Sequence, residues 1–467
     1  MSTTEAVAGR LLPRREDLRA MLGLAGPVVI IQVGMMLMGV VDTIMVGHLS
    51  AVALAAVALG NLYFFGLGVF GMGTLMVLDP VVAQAVGARD GPAIARGIQR
   101  GALVALMLAL PATVLLLFAE PFMVLARQPA DVIPYAAAYA VRLAPGVLPF
   151  FLFVVLRQSL QSMHRTAPIM IAIVVANLVN AALNWVLIFG HFGAPALGVI
   201  GSAWATTLSR WLLALLLVAL TWSRLRPHLL PVRPEIWHWA PLGRMLRLGV
   251  PIGCQYTLEF GAFAFVALMM GWLGTRAMAG HQVAINLASL TFMVPLGVAD
   301  AASILVGLAV GRGDLPGTRG AARAAYLCGI GFMSCTAVAF LTLPGPLAVL
   351  YTTDATVIAV AVGLIPLAGV FQVFDGTQVV AGGILRGLGE TKVAMLVNLL
   401  GYWFFGLPVS YLLGFVLGLG PGGLWYGLVL GLAAVATILL VRVRMALARE
   451  RRRVLIDHPP LEPALES

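Results

Sequence analysis

Twelve apolar runs of membrane-spanning length constrain this chain more than any other feature. They cover residues 24–47, 51–78, 93–118, 132–155, 167–190, 196–222, 246–271, 281–310, 321–343, 356–384, 393–417 and 422–443. A spanning helix needs about 20 mostly apolar residues. Backbone in lipid must also satisfy its own hydrogen bonds, which a helix does within a single run. The alternating pattern of a membrane β-strand is absent from these runs. Only 10% of the residues are charged and 61% are hydrophobic, whereas soluble domains carry roughly a quarter charged residues. The expected fold is an all-α polytopic membrane protein of twelve transmembrane helices. No separate signal peptide is predicted, because the first apolar run already has full spanning length.

The formal net charge of +10 raises a nucleic-acid reading, which the placement of the charge opposes. With the N-terminus inside, 25 of the 29 Lys and Arg residues fall in inner segments and only Arg127, Arg142 and Arg276 fall in outer ones, with Arg210 inside a run. This bias predicts both termini to be cytoplasmic. The basic charge is then a topology signal and a contact for anionic lipid. No nucleic-acid partner is expected. Cys254, Cys328 and Cys335 all lie in apolar runs, read as buried small hydrophobes with no disulfide or metal spacing.

The chain repeats itself at a period of about 224 residues. Pro27 matches Pro251, Gly47 matches Gly271, Gly87 matches Gly311 and Asp90 matches Asp314, each pair 224 apart. The string VGARD at 86–90 recurs as VGRGD at 310–314. Each copy holds six runs, an even number, so both enter from the same side. The expected arrangement is two pseudo-twofold-related six-helix lobes, a parallel repeat of the kind found in secondary transporters. The predicted divisions are an N-terminal segment 1–23, an N-lobe 24–223, a linker 224–245, a C-lobe 246–445 and a tail 446–467. No phosphate-binding loop is present and Lys392 is the only lysine. The expectation is a transporter rather than an enzyme, with no cofactor and no ATP drive.

Three carboxylates interrupt the apolar runs: Asp42, Glu259 and Asp375. A charge at the centre of a membrane helix costs roughly 2.5–3.5 kcal/mol on insertion scales, and such residues are functional by default. None is duplicated. At an offset of 224, Asp42 aligns with Val266 and Glu259 with Met35, and at 225 Asp375 aligns with Phe150. A carboxylate required by the shared scaffold would tend to recur in both copies. Asp300 is a fourth acid, which either joins a cation site or pairs with an arginine near the inner surface. Asn177, Asn180 and Asn184 share a face of the fifth run, and Tyr135 and Tyr139 stack on the fourth. Amides and phenols in membranes often only join helices. A stripe of them opposite a lone carboxylate points to a proton or ion relay. Prolines 27, 145, 149, 251, 295, 366 and 408 lie within the runs, where each frees a carbonyl for a cation or makes a hinge.

Several strings carry a family resemblance: VDTIMVGHLS at 41–50, VAQAVGARD at 82–90, NAALNW at 180–185 and PIGCQYTLEFGAF at 251–263. AGHQVAINLASLTFMVPLGVADAASILVG at 279–307 and FDGTQVVAGGILRGLGETK at 374–392 add to them. Together, over residues 20–440, the chain resembles the multidrug and toxic compound extrusion (MATE) family, NorM-type branch. The resemblance implies two six-helix bundles around a V-shaped cavity and export of amphipathic organic cations in antiport with Na⁺ or H⁺. It implies a C-lobe cation site at Glu259 and Asp375, which would hold any bound Na⁺ and which Asp300 could extend. It also implies an N-lobe proton or substrate site at Asp42, Asn180 and Asn184, which Tyr139 would join. Phe371 stands where some Na⁺-coupled relatives carry tyrosine, and Asp300 replaces a small or neutral residue.

The expected function is secondary active multidrug efflux, with cationic drugs and the bilayer as partners. The protein is expected to be monomeric and to lie in a bacterial inner membrane. The alternative is a lipid-linked precursor flippase of the same superfamily. It is disfavoured because mid-span acids outnumber mid-span arginines. A non-transporting receptor or scaffold is disfavoured by the lack of a sizeable soluble domain.

Overall fold

A computed structural model describes residues 12–449 and 453–457; the outermost parts of the predicted segments 1–23 and 446–467 lie outside the described residues. Among those described there is no β-strand. Twelve helices are long and apolar enough to cross a membrane: α1 Arg15–Gly47, α2 Ala51–Gly87, α3 Gly91–Leu117, α4 Ile133–Ser162, α5 Ala167–Phe189, α6 Val199–Leu229, α7 Trp239–Trp272, α8 Thr275–Gly311, α9 Leu315–Thr342, α10 Ala355–Gly387, α11 Thr391–Val416 and α12 Gly420–Ala448. Each predicted run becomes one of them. The helices outlast the apolar runs, since α1 starts at Arg15, α7 at Trp239, and α4 continues to Ser162. Once a helix is nucleated each further residue adds a hydrogen bond, so polar residues at its ends are carried along. Glu16 and Asp17 in the first turn of α1 also suit the positive end of the helix dipole.

The residues fall into two compact units, Met1–Val29 with Cys254–Val454 and Ile30–Gly253 with Leu455–Ser467. Two of the boundaries lie inside α1 and α7, and the third lies in the segment after α12. In the first unit α10 is the central helix, packed by α8, α9 and α12. Its core gathers Met269, Ala284, Leu364, Phe371, Tyr402 and Trp425. In the second, α5 packs on α6 and α4 packs on α2, α3 and α6, around Ile31, Phe153, Ile173, Leu213 and Leu217.

The duplicated residues are scaffold. Asp90 and Asp314 both cap the helix that follows, accepting from Ala93 N at 3.0 Å and from Gly317 N at 2.8 Å. The residue before each cap is left-handed, Arg89 at φ 57° and Gly313 at φ 68°. Arginine adopts that conformation less readily than glycine, yet both copies keep the same turn. Such caps contribute about 1 kcal/mol each.

The prolines do not all do the same thing. Pro27, Pro251, Pro295 and Pro366 sit within continuous helices. At Pro145, α4 tightens into a 3₁₀ turn, Ala144–Gly146. Pro149 offers no N–H to the Pro145 carbonyl, which instead accepts from Trp211 Nε1 at 3.1 Å, while Thr207 Oγ1 donates to the Arg142 carbonyl at 2.7 Å. Here α6 takes up the carbonyls of the bend, so these are not cation ligands. Around Pro408, α11 is π-helical at Leu399–Gly406 and Leu412–Val416, a wider winding that often marks functional helices.

Two expectations need correction. Cys254 and Cys328 are half-buried and Cys335 is exposed, because these helices turn an apolar face outward and a thiol is tolerated there. Arg100, Arg157 and Arg386, assigned to topology, are buried and held by side-chain acceptors: Asp457, Gln32 and Asp300 respectively.

The chain after α12 is also anchored. Asp457 accepts from Arg96 Nε at 2.7 Å and Arg100 Nη1 at 2.6 Å. Arg244 Nε holds the adjacent Ile456 carbonyl at 2.6 Å. Burial pushes the Asp457 carboxyl up, but hydrogen bonds and charge from Arg100 and then Arg96 outweigh it and hold the group below its ordinary value.

Candidate functional site

The acids inside the helices differ in what compensates them. Asp300 on α8 is fully buried, and Arg386 Nη2 on α10 donates to it at 2.8 Å. The same guanidinium reaches Ser303 Oγ at 3.3 Å and the Tyr256 hydroxyl at 3.2 Å. Close packing makes this possible: a Cβ on Gly383 would meet the Ala299 carbonyl, and one on Gly387 the Ser303 carbonyl. Of the two roles open to Asp300, its side chain occupies the ion pair.

Asp42 on α1 is compensated differently. Its two oxygens accept from Asn184 Nδ2 at 2.6 Å and Thr206 Oγ1 at 2.5 Å. Asn184 Nδ2 also reaches Asn180 Oδ1 at 3.2 Å, so the α5 stripe closes onto the α1 carboxylate. Asn177 instead bonds the Gly34 and Ile173 carbonyls, both at 2.9 Å, and only joins helices. Tyr139 donates to Asn61 Oδ1 at 3.2 Å rather than to the carboxylate. Arg210 lies within electrostatic reach of both Asp42 and Tyr139. Its guanidinium rests 3.8 Å from the Phe64 ring centroid, a cation–π contact. The cluster therefore contains its own positive charge.

Glu259 on α7 and Asp375 on α10 have no basic partner among the described residues. The two carboxylates lie within electrostatic reach of one another. Asp375 is buried with Oδ1 unbonded, and Gln378, fully buried, lies beside Glu259. Gln372, Asp375 and Gln378 follow at three-residue spacing on α10. Thr336 Oγ1 fixes Gln372 by donating to Oε1 at 2.6 Å, and leaves Nε2 open. Tyr402, on the π-helical part of α11, has a buried unbonded hydroxyl within reach of both acids. Asn398 stands one turn before it, buried with neither amide atom bonded. Phe371 closes the site with an edge-on ring 5.9 Å from Phe263 and 5.7 Å from Trp425. Orphaned buried polar atoms are costly, and here they gather about two carboxyl groups. The donor set, carboxylates with amide and phenol oxygens, is hard. It fits a proton or a small hard cation rather than a soft metal.

Thr206, Gln378 and Tyr402 have no role in the sequence reading, and Arg210 enters it only as an arginine inside a run. For Thr206 the available signal is its place one turn before that mid-span arginine on α6. Amides and phenols on long apolar helices gave none, because most serve only to join helices.

The MatE family model matches residues 27–186 and again 251–412, two stretches that begin 224 residues apart. The chain is 36% identical over 432 residues to a probable multidrug resistance protein NorM of Rhizobium meliloti (strain 1021), covering 90% of this chain and 92% of that one. It is 36% identical over 437 residues to the multidrug resistance protein MdtK of Edwardsiella ictaluri (strain 93-146), covering 92% and 95%. The crystal structure of the eukaryotic MATE transporter AtDTX14 superposes with a TM-score of 0.84 at 22% identity, covering 93% of this chain and 99% of that one, a likeness of fold. With the family model matching both halves and relatives aligned over nearly their full length, the chain belongs to the MatE (MATE) family of multi-pass membrane transporters.

Proposed function

We propose that the protein is a secondary active multidrug exporter that releases amphipathic organic cations in antiport with Na⁺ or H⁺. One observation carries this reading. Asp300 is offset by Arg386 and Asp42 lies within reach of Arg210, while Glu259 and Asp375 have no countercharge among the described residues. Two uncompensated carboxylates inside a membrane are costly until a cation or proton neutralises them. Binding there supplies the differential affinity that any coupled ligand must have for one state over another. Na⁺, as coupling cargo, would take Glu259 and Asp375 oxygens with the Gln378 and Tyr402 oxygens beside them. A proton would need only the two acids. Asp42, held by Asn184 and Thr206, serves in this reading as the N-lobe proton or substrate group. The drug cation is attracted to these acids only while they are ionised, which ties its uptake to release of the coupling ion. The relatives' names as multidrug resistance proteins support export of drugs over flipping of a lipid-linked precursor.

The proposed setting is a bacterial inner membrane with both termini cytoplasmic and the chain acting as a monomer. The test is ethidium efflux from a pump-deficient strain. Glu259→Gln and Asp375→Asn should each reduce coupled efflux at least tenfold with normal amounts of protein in the membrane. Intact efflux in both variants would overturn the proposal.

A further inference from the structure

A second feature lies away from these acids, at the end of the first unit where α9 begins and α12 ends. A groove of about 800 Å³ opens there between the two helices and Leu12–Pro13 ahead of α1. Its walls are apolar, with Leu327, Ile330, Leu440 and Val443 among them, and its rim carries Arg319, Arg323 and Arg444. Arg319 and Arg323 are four residues apart on α9, hence on one face, with Tyr326 a further turn along. No acid among the described residues lines the groove. Asp17 approaches α9 at Gly320, but it is not among the lining residues. Arg319 spends its Nε on the Leu447 carbonyl at 3.0 Å. Neither Arg323 nor Arg444 forms an ion pair among the described residues. The Tyr326 hydroxyl is buried in the groove with no hydrogen-bond partner among the described residues.

We infer that this groove is a binding site for an anionic phospholipid. The acyl chains lie along Leu327, Ile330, Leu440 and Val443, and the headgroup phosphate sits among the three guanidiniums, accepting from Tyr326. Charge complementarity selects the occupant. Three arginines repel the cationic drugs the family exports, whereas guanidinium pairs well with phosphate. A soluble anion would have no use for the apolar wall that continues down membrane-spanning helices. Lipid is the solvent of that wall, and basic pockets between membrane helices are a recurrent way of holding anionic headgroups.

The experiment uses the purified full-length protein in detergent, with bound lipid counted by native mass spectrometry. Phosphatidylglycerol, phosphatidylcholine of the same chains and inorganic phosphate are the three probes. Phosphatidylglycerol should bind selectively, and Arg323→Gln with Arg444→Gln should weaken it by roughly tenfold or more, two headgroup charges having been removed. Arg89→Gln with Arg165→Gln, elsewhere in the chain, should leave it unchanged. Equal binding of the two lipids, or retention of selectivity in the Arg323/Arg444 variant, would overturn the inference. So would competition by inorganic phosphate alone, which would mark a free-anion site. If the double variant does not fold, photoactivatable phosphatidylglycerol on the unmodified protein decides. Adducts within residues 319–331 or 440–448 support the site, and adducts confined elsewhere overturn it.

Discussion

Residue identity matters most where charge is buried. Asp300 and Arg386 form a pair whose members are 0% and 5% exposed. Removing one partner leaves the other charge stranded, at a cost of about 3–5 kcal/mol, whereas replacing both by apolar residues is often nearly neutral. Asp300→Asn should therefore lower the melting temperature of the detergent-solubilised protein sharply, and Asp300→Leu with Arg386→Met should recover most of the loss. A double variant as unstable as the single one would show that Arg386 has a further structural duty. The mid-span acids were legible as anomalies in the sequence, but their roles were not equally so. Asp300 and Asp375 look alike in an apolar run. What separates them is whether an arginine 86 residues further along the chain folds back onto the carboxylate.

At the scale of elements, glycine decides how closely helices approach. A Cβ at Gly383 of α10 would press on the backbone of Ala299 in α8, and backbone cannot rotate away. Gly383→Ala should cost about 1–3 kcal/mol, as overpacking does. Gly363→Ala on the same helix meets nothing within 4 Å and should be neutral or slightly stabilising. Thermal unfolding of the two variants side by side checks this. The segment after α12 is a second element with a definite chemistry. The Asp457 carboxyl is held below its ordinary value of 3.8. Its contribution to stability is thus fully present above that unfolded value and is lost as pH falls through the lower folded one. The melting temperatures of the natural protein and Asp457→Asn should differ near neutral pH and converge under strongly acidic conditions. A difference independent of pH would assign the effect to packing.

For the whole molecule, the expected behaviour is exchange of a drug cation for an inorganic one. In proteoliposomes with Na⁺ and proton gradients imposed separately, one gradient should drive drug movement, and the Glu259→Gln and Asp375→Asn variants should lose the response to it. Drug movement driven by neither gradient would rule out antiport. Phe371 removes one candidate phenol from the site, and Tyr402 places another within reach of both acids from a different helix. Substitution of Tyr402 by Phe should affect a Na⁺-driven exchange more than a proton-driven one, since a proton needs no third oxygen.

The sequence by itself determined the class of fold, the number of helices and the repeat, because lipid forces backbone into self-satisfied helices and a duplicated scaffold leaves matching caps such as Asp90 and Asp314. It also marked which acids stand outside that scaffold. Only the tertiary structure decided which of them are paired. Countercharges such as Arg386 and Arg210 come from distant points in the chain, and linear order carries no record of which side chains a helix will face.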